Sequence, residues 1–172
     1  MLFVYLQKQN LILMKLTCLI ILSFLGTFSI SYSQEAKVEV SDFYKAISSD
    51  NLNLIENELT KIKDENIPEK EAYQGTLLMK KAGLSSKISE KLSSFKEGHL
   101  LLEEAIKKDN SNAEFRFLRL IIQENAPHFL DYYENLDEDS HFISKNINTL
   151  SASVKLAIGE YIKKSKVLTL HD

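Results

Sequence analysis

The stretch Ile88–Lys108, ISEKLSSFKEGHLLLEEAIKK, has the clearest periodicity in the chain. Six residues, five of them apolar, recur at steps of four, three, four, three and four: Ile88, Leu92, Phe95, His99, Leu102 and Ile106. This spacing predicts a helix of about five turns with one apolar face, ending at the turn cluster 109–112. His99 lies on that face, which favours a packed histidine over a ligand.

Helical spacing continues on both sides of this stretch. Further helices are predicted at 41–49, 52–62, 68–83, 113–125 and 154–165, the last capped by Ser151, and none of the chain alternates with the period of a strand. Pro68 would open the third helix and Gly83 would end it in the left-handed conformation. Residues 113–125 are apolar on most sides and should form the most buried helix. Residues 128–136 and 142–150 predict two short helices, or one irregular helix kinked at 137–140.

Residues 1–33 have the pattern of a secretory signal, with the true start possibly at Met14. Lys15 precedes an apolar run over 16–30, and small residues precede a predicted cleavage after Ser33. Residues 34–172 would then be a single exported α-helical domain, periplasmic or secreted. The alternative is an uncleaved anchor helix, the one case in which the chain would be bound to a membrane. The only cysteine, Cys18, lies in this segment, so the exported part has no disulfide.

Composition and charge limit the classes of partner. The chain has 172 residues, 44% of them hydrophobic and 26% charged, which suits one globular domain. Two of the 21 basic residues and none of the 24 acidic residues lie before residue 34, so the exported part has a net charge of 19 − 24 = −5. Nucleic acid is therefore excluded as the expected partner. The cluster Lys163, Lys164 and Lys166 is interpreted as a solvated helix end.

Residues 101–114, LLEEAIKKDNSNAE, resemble the end of a tetratricopeptide repeat. That family has a small residue at the position of Gly98, a bulky apolar residue at Leu102 and a small residue at Ala105. Asn110 stands where the family usually has proline. The resemblance covers about one helix and a turn, and no 34-residue period extends across the chain. It implies stacked antiparallel helix pairs whose concave face binds another polypeptide, with no chemistry. The chain is also similar to small exported bacterial proteins of unassigned function.

No catalytic motif is present, and neither catalytic residues nor a cofactor are predicted. Glu138 and His141 have the Glu-x-x-His spacing of a metal-binding helix face, but a di-iron bundle needs a second such motif. We therefore interpret residues 137–139 as a solvated acidic turn. An all-α fold of about six or seven helices in antiparallel pairs, either tetratricopeptide-like or an irregular bundle, is the expected architecture.

Four residues are candidate contacts for a partner protein. Arg116 and Arg119 are the only arginines and lie three residues apart, with an internal salt bridge as the alternative. Tyr132 and Tyr133 are interface-prone aromatic residues that could equally lie in the core. The leading hypothesis is a non-enzymatic module that binds another protein of the cell envelope through an exposed groove. A helical bundle that encloses a small apolar ligand in a closed cavity is the alternative, and an enzyme of unrecognised type is the third.

Overall fold

The fold is all-α in the part of the chain that the computed structural model describes, residues 39–170. The predictions for residues 1–33 lie outside these residues. Seven α-helices occur between residues 39 and 170, and strands are absent from that range, which confirms the predicted fold class. The helices are α1 (Val40–Ser48), α2 (Leu52–Asp64), α3 (Lys70–Leu84), α4 (Ile88–Lys108), α5 (Ala113–Asn125), α6 (Leu136–Asn146) and α7 (Ala152–Ile162), with 3-10 turns at His128–Leu130 and Ile147–Thr149.

Helices α3 and α4 form a closely packed antiparallel hairpin. Only residues 85–87 connect them, and Lys108 at the end of α4 forms an ion pair with Glu71 at the start of α3. Two glycines, Gly75 and Gly98, lie where the helices cross, and each would bring an added Cβ to within 2.6 Å of the other residue's carbonyl oxygen. The two backbones can approach this closely only because neither residue has a side chain.

Helix α5 is the centre of the core, as its apolar sequence predicts. Phe117, Leu118 and Leu120 have no exposed surface, and Arg119 and Gln123 are also buried. The Asn112 side chain caps the helix by accepting hydrogen bonds from the backbone N–H groups of Glu114 and Phe115. Ser151 caps α7 in the predicted way through the N–H of Val154.

The apolar stripe of α4 is buried over only part of its length. Leu102 and Ile106 lie in the core, whereas Ile88 is 75% exposed and Leu92 is 47% exposed. Helix α5 follows the far end of α4 after a four-residue turn and has 13 residues against 21, so it cannot extend back to Ile88 and Leu92. His99 is half-buried, and its ring packs edge-on against Tyr132 at 4.6 Å.

Several predictions about local structure were wrong. Pro68 does not open α3, which begins two residues later at Lys70. Residues 128–136 contain only the 3-10 turn His128–Leu130 and not a short helix.

Gly83 is not left-handed: it lies inside α3, which ends at Leu84 and is followed by an extended Ser85. Residues 137–140 do not form a solvated turn or a kink, because α6 runs through them. Three acids in its first turn favour a helix N-terminus, and one of them, Asp139, is held by arginines of α5.

Candidate functional site

An open groove with a volume of about 480 Å³ lies between α1, α5 and α7. Its floor is formed by Phe117 and Ile121, which are one turn apart on α5. The walls are formed by one face of α1 and one face of α7, whose lining residues recur at helical spacing. The wall residues are Ser41, Tyr44, Lys45 and Ser48 on α1, and Ser153, Leu156, Ala157, Glu160, Tyr161 and Lys164 on α7 and the turn that follows it.

Apolar and aromatic groups form the inner surface of this groove. The Tyr44 ring packs against Phe117 with centroids 6.0 Å apart. The Tyr161 ring packs edge-on against the same Phe117, with centroids 5.7 Å apart. Leu156 is on the α7 wall and is 68% exposed. The lining is therefore mostly apolar, and it includes one large apolar side chain that is exposed to water.

On the α1 side, the hydroxyl of Tyr44 is hydrogen-bonded to a carboxylate of α5. Tyr44 Oη and Tyr73 Oη both donate to Glu114 Oε1, at 2.9 and 2.7 Å. Burial of the two hydroxyls and their proximity to the Glu114 carboxylate raise the pKa of each tyrosine. Tyr73 in turn stacks on Phe43 with centroids 4.0 Å apart. This network fixes the Tyr44 ring in one orientation.

The tyrosine on the α7 side is held in a similar way. Tyr161 Oη donates to Glu124 Oε2 at 3.0 Å and accepts from Asn125 Nδ2 at 2.9 Å. Burial and the nearby Glu124 carboxylate raise the pKa of Tyr161. Glu124 also accepts from Ser165 Oγ at 2.7 Å, which attaches the segment after α7 to α5. Hydrogen bonds thus hold both tyrosine rings of the groove in fixed positions.

The network around Glu114 predicts a specific dependence of stability on pH. Burial raises the pKa of Glu114, the two tyrosine hydrogen bonds lower it, Glu69 raises it, and the net direction is upward from 4.5. The folded state then retains a proton that the unfolded chain has lost, so charging Glu114 reduces stability as the pH rises. Glu114→Gln keeps an Oε1 acceptor for both tyrosines and cannot titrate.

We expect the difference in unfolding free energy, wild type minus Glu114→Gln, to fall as the pH rises from about 4.5 through the raised pKa of Glu114. Urea unfolding of both proteins across this range measures the difference, and the variant is the control for all other carboxyl groups. A difference that increases with pH would contradict the raised pKa.

The two arginines lie in an internal ion cluster between α4, α5 and α6. Arg119 Nε and Nη2 donate to the two oxygens of Asp139 at 2.7 and 2.8 Å, and Nη1 donates to Glu103 at 3.1 Å. Arg116 Nη1 donates to Asp139 at 3.0 Å and to Glu138 at 2.8 Å. Because Asp139 has no exposed surface, this is a buried pair with bidentate geometry. The internal salt bridge weighed from the sequence is therefore present.

The predicted partner contacts are not in the groove. Tyr132 is buried and donates to Glu103 Oε1 at 2.6 Å, beside the arginine cluster. Tyr133 is 43% exposed and packs against His128. Of the four candidates, Arg119 and Tyr132 are almost completely buried, Arg116 is largely buried, and Tyr133 is the most exposed.

Sequence reasoning missed the groove because its two walls are more than a hundred residues apart in the chain. One signal was available. Leu156 falls outside the apolar face of α7, which contains Val154, Ile158 and Tyr161, so it places a large apolar residue on a solvent-facing side.

Metal binding at Glu138 and His141 has no support in the geometry. Glu138 is bonded to Arg116, and His141 is exposed. Within residues 39–170, no three or more His, Cys, Asp or Glu side chains converge as they would around a metal ion. None of the helices in this range combines the length and the apolar character that a membrane span requires.

Comparisons with known proteins give no match: no family model, curated protein or solved structure is significantly similar to this chain.

Proposed function

We propose that the chain is an exported, non-enzymatic interaction module that binds another protein of the cell envelope in the groove between α1, α5 and α7. The observation on which this rests is the open apolar groove, with its two tyrosine walls already held in place. Preorganised apolar surface next to exposed Leu156 is typical of a docking site. The weak tetratricopeptide resemblance and the signal-like residues 1–33 support the same proposal.

The shape of the groove favours a polypeptide over a small apolar ligand. Small-molecule sites enclose most of the ligand surface, whereas this groove is open to solvent and its lining includes the exposed Leu156. Its residues also favour binding over catalysis. The three serines among the described lining residues have neither a histidine nor a cysteine beside them in that set.

Leu156→Asp should remove partner binding without unfolding the protein. The side chain is 68% exposed, so the folded state loses little, whereas a docked apolar partner would have to bury a carboxylate. We expect the amount of partner captured by the tagged full chain after crosslinking in its native cells to fall at least about tenfold.

The matched control is Leu100→Asp. Leu100 is a leucine of similar exposure, 62%, on α4 and outside the groove. Its substitution should leave capture unchanged. Equal losses in both variants, or no loss in Leu156→Asp, would contradict binding in the groove.

A further inference from the structure

We infer that the occupant of the groove is an amphipathic α-helix of the partner protein, with acidic residues flanking its apolar face. This inference deepens the proposed function and depends on it. It names the secondary structure and the charge of the segment that binds.

The construction of the groove favours a helix as the occupant. Both walls and the floor are α-helices, whose backbone N–H and C=O groups are largely bonded within each helix. An extended peptide would find few backbone partners there and would leave its own polar groups unpaired on burial. A helix satisfies those groups internally and places side chains at i, i+3, i+4 and i+7 into an apolar groove.

The dimensions of the walls fit a short helix. The lining face of α1 extends from Ser41 to Ser48, about 10 Å at 1.5 Å per residue. The α7 wall extends from Ser153 to Lys164, about 16 Å. A helix of about three turns would therefore lie along the groove and cover the exposed side of Leu156.

Charge at the edges of the groove determines the expected charge of the occupant. Lys45 lies on the α1 wall and Lys164 lies just beyond α7, and neither is among the ion pairs of residues 39–170. Lys164 Nζ lies 5.3 Å from the centroid of the Tyr161 ring, at the inner surface of the groove. Glu160, the one acid among the described lining residues, is paired with Lys163 at 2.6 Å.

Within residues 39–170, the edges of the groove therefore carry two lysines that form no ion pair, in a chain whose net charge is −3. Carboxylates on both flanks of a docked helix would complement them. The other occupants to be distinguished are an uncharged helix, a fatty acid and a second copy of this chain.

The test is a selection of displayed random peptides of about 12 residues, roughly three helical turns, against the full chain and two variants. Wild type should enrich peptides with apolar residues at helical spacing and Asp or Glu on the flanks. Lys45→Glu with Lys164→Glu should instead enrich Lys or Arg on the flanks. Leu156→Asp should enrich neither class. All three substitutions are at exposed positions, and circular dichroism checks that each variant is folded.

The strongest wild-type peptide should then bind the charge-reversed variant about tenfold more weakly, because two attractive pairs become repulsive. Equal affinity, with binding still lost in Leu156→Asp, would overturn the acidic flanks and leave the proposed function intact. No enrichment, or enrichment that ignores Leu156→Asp, would contradict both proposals. Palmitate binding without peptide binding would also contradict both proposals. A dimer of the chain that Leu156→Asp dissociates would contradict them as well.

Discussion

Replacing Asp139 by alanine should destabilise the protein by about 3–5 kcal/mol, the range for removing one partner of a buried ion pair. Asp139 has no exposed surface and accepts three hydrogen bonds from Arg119 and Arg116. Without it, Arg119 remains buried between α5 and α6 with only Glu103 as a charged partner. Urea unfolding followed by far-ultraviolet circular dichroism measures the change.

Asp137→Ala is the control, because Asp137 is an exposed acid in the same first turn of α6. Its substitution should change stability by about 0.5 kcal/mol or less. A double variant, Arg119→Met with Asp139→Leu, should be clearly more stable than Asp139→Ala alone, since it removes the unpaired charge. Similar small effects for Asp139→Ala and Asp137→Ala would show that the cluster does not join α5 to α6.

Gly98→Ala should destabilise the α3–α4 hairpin although alanine is the better helix former. The new Cβ would lie 2.5 Å from the carbonyl oxygen of Gly75 and 2.9 Å from the backbone nitrogen of Met79. Neither backbone atom can move without separating the helices. Overpacking of this kind costs about 1–3 kcal/mol. Gly98→Val should have a larger effect, since it adds two more methyl groups at the same contact.

Gly83→Ala is the matched control for this prediction. Gly83 also lies in a helix, α3, but nothing would lie within 4 Å of its added Cβ. Its substitution should stabilise the protein by about 0.5–1 kcal/mol through helix propensity alone. Thermal unfolding of the two variants should therefore shift in opposite directions, and a shift of both to higher temperature would contradict the close contact of α3 and α4.

Local patterns in the sequence predict most of the fold. The three- and four-residue steps in α4, the cap at Ser151 and the apolar character of α5 each depend on residues within one helix or its ends, and each was found. The prediction that Gly83 adopts the left-handed conformation was wrong, because α3 continues through this residue. The exposure of Ile88 and Leu92 could not be foreseen, because it depends on the lengths of neighbouring helices.

The sites depend on contacts between distant parts of the chain, which one sequence does not specify. The pair of arginines suggested a buried carboxylate, but Asp139 became its partner only through the packing of α6 on α5. The groove forms only where α1 and α7 lie on either side of α5. The hydroxyl of Tyr44 is held by Glu114, which is 70 residues away in the chain. Leu156 is the local signal, because it is a large apolar residue on the polar side of its helix.

Site-specific photocrosslinking from position 156 of the full chain, in its native cells, tests the proposed binding groove most directly. A photoreactive residue there should crosslink to one other polypeptide, at a segment that is helical, apolar on one face and acidic on its flanks. The same group at position 100 should not capture that polypeptide. If position 156 gave no crosslink, or if positions 156 and 100 captured the same polypeptides, the groove would not be a protein-binding site.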